Sequence, residues 1–197
     1  MKYRQLDIEG AWEITPVQHG DPRGLFMEWY RHEPFTEATG HKLDLRQANL
    51  STSQRGVVRG IHYADVPVGQ AKYVTCVRGA MLDVVIDLRV GSPTFGKWDS
   101  VLLDQVDRRA IYLSEGLGHA VCALEDDSAL LYLCSEIYNP AAEHTISPLD
   151  PQIGIKWPVA DPQMSPRDLA GPTLAEALSQ GLLPEYEACR SYVASLR

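Results

Sequence analysis

No stretch of this 197-residue chain approaches the roughly 18 consecutive apolar residues that a membrane-spanning helix needs. Residues 1–10 alternate polar and apolar types, without the apolar centre of a secretory leader. Both absences point to a cytoplasmic protein with no membrane partner. Cysteine is scarce: Cys76, Cys122, Cys134 and Cys189 form no C-x-x-C pair and stand at no zinc-site spacing from a histidine. Reduced, packed thiols are the expectation. Positive charge is in deficit, with 18 Lys and Arg against 26 Asp and Glu for a net charge of -8. Such a chain repels phosphate backbones, which argues against a nucleic-acid partner; an anionic small molecule would require a few Arg and Lys to converge. Also missing are the G-x-G-x-x-G turn of dinucleotide folds, a phosphate-binding P-loop and the G-x-S-x-G elbow of serine hydrolases. Repeats and low-complexity tracts are absent too.

What is present is a β-rich text. With 45% hydrophobic and 22% charged residues, the chain has enough apolar surface for a packed core. One domain over residues 1–197 is expected, with a barrel at about residues 45–140 and a C-terminal loop and helices over 160–197. The runs are Leu45 to Ser53, Val57 to Tyr63, Lys72 to Val77, Ala80 to Arg89, Trp98 to Leu103, Ala110 to Leu113, His119 to Leu124 and Ala129 to Ile137. Turns fall at Arg78-Gly79 and Asp126-Asp127. Strands spaced by about 8–12 residues and rich in Val, Ile, Leu and Tyr indicate a sandwich or barrel, here an all-β jelly roll. Helix signals sit at the ends. Pro34 to Gly40 is one; another begins at the Thr173-x-x-Glu176 capping box and stops at Gly181, with Pro184 after it. Pro158 to Pro172 reads as a loop.

Alternation assigns faces. Leu82, Val84, Ile86 and Leu88 share one side of their strand, and Asp83, Val85 and Asp87 share the other. Carboxylates among apolar residues suggest a partly polar barrel interior, with a solvated sheet face as the alternative. In Val58-Arg59-Gly60-Ile61-His62-Tyr63, an extended chain groups Arg59, Ile61 and Tyr63 and sends His62 to the opposite face, unless Gly60 breaks the register. Taken alone, His62 is equally readable as a structural histidine. Lys72, at the start of the next strand run, could share a barrel mouth with it. Tyr132 and Tyr138 have the same parity and are expected to face inward, or to be core tyrosines with satisfied hydroxyls. Glu115-Gly116-Leu117-Gly118-His119 looks like half of a metal signature. Its other half would need an H-x-H at His62, where Ala64 stands instead, so no metal site is expected.

The chain resembles the dTDP-4-dehydrorhamnose 3,5-epimerase family, including the related dTDP-4-keto-6-deoxyhexose epimerases of antibiotic sugar pathways. The resemblance rests on Asp21-x-Arg23-Gly24-x-Phe26-x-Glu28, Gln47-Ala48-Asn49, Arg59-Gly60-Ile61-His62, Gln70-Ala71-Lys72 and Gly91-Ser92-Pro93-Thr94-Phe95-Gly96. It continues through Gly118-His119, Tyr132, Tyr138-x-Pro140-x-x-Glu143 and Ser165-x-Arg167-Asp168. It implies a cupin-type jelly roll that forms a homodimer and uses no cofactor. It further implies His62 as base, Tyr132 as the opposing acid, Asp168 behind His62, and Lys72 at the enolate oxygen. Arg23, Phe26 and Glu28 would reach the nucleotide site of the partner subunit. Gln47, Asn49, Arg59, His119, Glu143 and Arg167 would line the ligand, and Tyr138 would stack on thymine.

The chemistry suits those residue types. A 4-keto group acidifies the C–H bonds at C3 and C5, and inversion requires a base and an acid on opposite sides of the ring. A fixed cation stabilises the enolate, and no electron acceptor is needed. The implied reaction is C3 inversion of dTDP-4-keto-6-deoxy-D-glucose in deoxysugar biosynthesis. The alternatives are a 3,5-double epimerase or a 5-epimerase, a non-catalytic nucleotide-sugar-binding cupin, and a metal-dependent cupin. Two departures from the family pattern stand out: Arg167 where Lys is common, and the small residues of Leu117-Gly118-His119-Ala120-Val121, which would reshape the wall near the sugar.

Overall fold

A computed structural model describes residues 1–196 of the chain. The strand runs pair entirely antiparallel into two large sheets. The first has the order β1 (Lys2–Gln5), β2 (Ala11–Thr15), β10 (Ala110–Leu113), β7 (Lys72–Arg78), β12 (Ser128–Cys134) and β5 (Gln47–Ser53). The second has the order β13 (Glu143–Thr145), β6 (Val58–Ala64), β11 (Leu117–Ala123), β8 (Ala80–Asp87) and β9 (Trp98–Asp104). A separate hairpin joins β3 (Gln18–Asp21) to β4 (Gly24–Met27). Gly79 makes the β7–β8 turn at φ +73°, and Asp127 adopts φ +53° in the β11–β12 turn; both conformations suit those residue types.

The two sheets face each other as a jelly roll, and three apolar clusters hold it together. Between the sheets lie Val74, Met81, Val85, Leu103, Val121 and Leu130. Outside the second sheet, Ile61, Tyr63, Val84, Ile86 and Leu88 pack under Ile153, Leu174 and Leu183 of the C-terminal region. Outside the first sheet, α1 (His32–Thr39) covers Tyr73 and Tyr112 with Phe35, whose ring meets that of Tyr112 edge-on at 4.8 Å. Gly40 ends α1 at φ 72°. Because β8 is covered on both sides, Asp83 and Asp87 are fully buried rather than on a solvated face.

Other readings need correction. The stretch expected to be a loop contains α2 (Pro166–Leu169), a single turn that starts because Ser165 accepts the Asp168 N–H and Pro166 needs no amide partner there. The capping box does open α3 (Leu174–Ser179). A further helix, α4 (Tyr186–Ser195), follows Pro184. Strands β1 and β2 extend the first sheet from a region in which no strand was read. Among the described residues, no helix is long and apolar enough to cross a membrane.

Candidate active site

One end of the barrel interior is polar. On the first sheet, Tyr132 lies opposite Asn49 on one side and Val74 on the other, while Cys134 lies opposite Gln47 and Lys72. Cross-strand partners point to the same face, so Gln47, Asn49, Lys72, Tyr132 and Cys134 share the inner face with Val74. On the facing sheet, His119 lies opposite His62 and Val85, and Val121 lies opposite Asp83. Gly118 and Ala120 therefore point outward: Ala120 belongs to the outer cluster, and a Cβ on Gly118 would meet Ile61 and Leu88 at 2.8 Å. Those two small residues serve outer packing and do not reshape the inner wall; Val121 is on the inner side.

A β-bulge decides which residues of β6 face inward. Between the pairs His119–His62 and Val121–Arg59 the register shifts, so β6 carries one more residue than β11. Gly60 takes up the irregularity at φ +117°, where a Cβ would come within 2.5 Å of the His119 carbonyl oxygen. The consequence corrects the simple alternation. Ile61 and Tyr63 are buried in the outer cluster, but Arg59 turns to the side of His62. There its Nε donates to Ser53 Oγ at 3.0 Å and its Nη2 donates to the Thr52 carbonyl at 3.0 Å.

Two histidine–carboxylate pairs result. His62 Nε2 meets Asp168 Oδ1 at 2.7 Å, although 106 residues separate them in sequence. Burial pushes the Asp168 carboxyl up, but His62, Ser165 and the Gly60 amide together outweigh it and hold the group below the usual aspartate range. His119 Nε2 meets both oxygens of Asp83, at 2.9 and 3.0 Å. Here burial prevails over His119 and Lys72, and the Asp83 carboxyl is raised. Burial likewise pulls the Lys72 ammonium down, against the influence of Cys134, Glu143 and Asp83. Burial raises the Tyr132 hydroxyl, with Arg59 opposing. Asp83 was legible as a polar interior residue, but its partner was not.

At the rim, Arg167 Nη2 donates to the Glu143 carbonyl at 3.1 Å and Nη1 lies 3.5 Å from the Tyr138 hydroxyl. A cleft of about 360 Å³ runs past Arg59, His62, Arg167 and Asp168. Tyr138 does not share the inward face of Tyr132: β12 ends at Cys134, and Tyr138 lies beyond it, exposed, its N–H donating to Gln47 Oε1 at 2.9 Å. Arg23, Phe26 and Glu28 are not brought to this end. Arg23 and Phe26 are exposed on the β3–β4 hairpin, where Arg23 pairs with Asp21 at 2.6 Å, and Glu28 follows it, also exposed. Among the described residues, no three His, Cys, Asp or Glu side chains gather in a group fit to hold a metal ion. What the arrangement offers is a carboxylate-backed imidazole on one sheet facing a half-buried, poorly solvated ammonium and a phenol on the other.

Comparison with known proteins agrees. The sequence model for dTDP-4-dehydrorhamnose 3,5-epimerase matches residues 5–176. A dTDP-4-dehydrorhamnose 3-epimerase of Streptomyces niveus is 60% identical over 97% of this chain and 92% of its own length. A dTDP-4-dehydrorhamnose 3,5-epimerase of Mycolicibacterium smegmatis is 59% identical over 100% of this chain and 98% of its own. The solved structure of the rmlC epimerase of Mycobacterium tuberculosis superposes with a TM-score of 0.98 at 53% identity, covering 100% of both chains. The chain belongs to the dTDP-4-dehydrorhamnose 3,5-epimerase family: it is an isomerase, a dTDP-sugar epimerase with a cupin-type jelly roll.

Proposed function

We propose that this epimerase inverts C3 of dTDP-4-keto-6-deoxy-D-glucose, with His62 as base, Tyr132 as acid, Lys72 at the enolate oxygen and Asp168 as the group that orients His62. The observation that carries this reading is the 2.7 Å contact of His62 Nε2 with a carboxylate held ionised, on the sheet opposite Lys72 and Tyr132. With Nε2 committed to Asp168, Nδ1 is the nitrogen that takes the proton, and the carboxylate stabilises the imidazolium that forms. Loss of a proton from C3 leaves an electron pair that delocalises onto the C4 oxygen. A poorly solvated ammonium stabilises that oxyanion far better than water does. Tyr132 then returns a proton from the other side.

His119, with Asp83 behind it, and Arg59, Gln47 and Asn49 line the sugar and pyrophosphate. Arg167 and Glu143 hold the rim, and Tyr138, exposed there, stacks on the thymine. Arg23, Phe26 and Glu28 act in trans in a homodimer. Support for that last point comes from the exposure of Phe26 on a hairpin that joins neither sheet, and from the open edge of β5 beside Tyr132.

The test is proton NMR in deuterated water with dTDP-4-keto-6-deoxy-D-glucose. Deuterium at C3 alone is expected; deuterium at both C3 and C5 would assign the double epimerase, and none at C3 would overturn the reading. His62→Ala should remove the C3 exchange, a loss of about 100-fold or more. Exchange at the wild-type rate would exclude His62 as the base.

A further inference from the structure

Cys134 has no role in the mechanism above, yet it lies on the same inner face. It is buried, directly opposite Lys72 across the β12–β7 pair and two residues from Tyr132. Its Sγ accepts a hydrogen bond from Asn49 Nδ2 at 3.7 Å. Asn49 Oδ1 accepts from Gln47 Nε2 at 2.9 Å, and Gln47 Oε1 accepts the Tyr138 N–H at 2.9 Å. A line of side chains thus runs from the rim loop to the sulfur facing Lys72.

We infer that Cys134 is a positioning residue for this reaction: its thiol, fixed by Asn49, gives the Lys72 ammonium a soft polar neighbour that keeps it charged without pairing it. The inference rests on the reading of Lys72 as the group at the enolate oxygen. A buried ammonium with only apolar neighbours gives up its proton, because the charge is poorly solvated. A carboxylate in the same position would keep the proton on but would engage the cation, leaving less of its field for the developing oxyanion. A thiol falls between these extremes: it is polarizable, a weak acceptor, and neutral. The charged groups whose fields reach Lys72 are Glu143 of β13 and Asp83 of β8; the titratable Tyr132 of β12 shares its inner face, and the His62 and His119 rings of β6 and β11 lie on the facing sheet. Cys134 faces it from β12, and is itself raised by burial and lowered by Lys72.

The experiment reads the Lys72 charge directly, by carbon NMR of lysine-labelled protein across a pH titration. The pH dependence of kcat and KM is measured on the same proteins, with Lys72→Met identifying the resonance. Cys134→Val, which cannot accept from Asn49, should lower the Lys72 pKa by about half a unit or more, carry the alkaline limb of kcat down with it, and leave KM within about twofold. Cys134→Ala runs alongside, so that a packing fault in one variant does not decide the result. Cys134→Ser keeps an acceptor for Asn49 and should restore both the titration and the limb. An unmoved Lys72 titration in the Val and Ala variants would overturn the inference while leaving Lys72 in place, provided Lys72→Met has lost turnover. Full turnover in Lys72→Met would instead overturn the reading of Lys72, and with it the catalytic meaning of Cys134.

Discussion

The pairs His62–Asp168 and His119–Asp83 sit side by side on neighbouring strands, at 2.7 and 2.9 Å, and yet their carboxylates are shifted in opposite directions. Asp168 comes from a helical turn outside the sheet and receives help from Ser165 and the Gly60 amide, so it stays ionised below the usual range. Asp83 lies within β8, fully buried, with His119 as its hydrogen-bonding partner and the field of Lys72, and its charged form is disfavoured. Distance to the histidine does not separate them; the deeper burial of Asp83 and the extra donors at Asp168 do. On the proposed function, the first pair accepts the proton from substrate and the second holds its ring in place. Asp87 supplies a third case. It is as buried as Asp83, but Arg89, Ser92 and Thr94 all donate to it, and it is lowered.

The sharpest break comes from that third carboxylate, whose side-chain donors, Arg89, Ser92 and Thr94, are none of the proposed site residues. Asp87→Asn strands the buried Arg89 and should cost about 3–5 kcal/mol in urea unfolding, with kcat near the wild-type value. A comparable loss of kcat would mean that the network reaches the site. Next, Asp168→Asn should lower kcat by about 100-fold, because the amide keeps a hydrogen bond but removes the charge that stabilises the imidazolium. Asp83→Asn should lower it by no more than about tenfold. Equal losses in steady-state assays would cancel the distinction between the two pairs.

The finest test is the pH dependence of stability. An unfolded aspartate titrates near about 3.9. Asp168, with its lowered folded value, stabilises the native state above that pH, and the contribution drains away as pH falls through the folded value. Asp83, with its raised folded value, works in reverse: the native state holds its proton longer, so stability is lost as pH rises above the unfolded value. The gap between wild type and Asp168→Asn should close on acidification. The gap to Asp83→Asn should move in favour of the variant as pH climbs. Unfolding free energies measured across that range would show slopes of opposite sign, and parallel slopes would contradict the contrast.

Much of the framework was legible. Alternation in β8 sorted Val84, Ile86 and Leu88 from Val85 because both faces are covered by different clusters. Gly79 and the Thr173 box announced their turns through local chemistry alone. Several things were beyond local reading. Parity failed for Arg59 because a bulge is a property of two strands, and for Tyr138 because the strand had already ended. The contact between His62 and Asp168 joins residues 106 apart in sequence, and only the family resemblance connected them. The β3–β4 hairpin lies outside both sheets; β3 is polar throughout and β4 is the unbroken apolar run Leu25-Phe26-Met27, so neither shows the alternation by which half-buried strands are recognised.

The bulge at Gly60 also constrains how this chain can change over time. Losing one residue there would restore plain alternation and drive the Arg59 guanidinium toward the greasy outer layer that holds Ile61 and Tyr63. Gaining one would do similar harm to His62. Gly60, where any Cβ would strike the His119 carbonyl, and His62 aside, β6 should therefore accept single substitutions more readily than insertions or deletions. Arg59-Gly60-Ile61-His62 should be inherited as an indivisible block whose length matters as much as its letters.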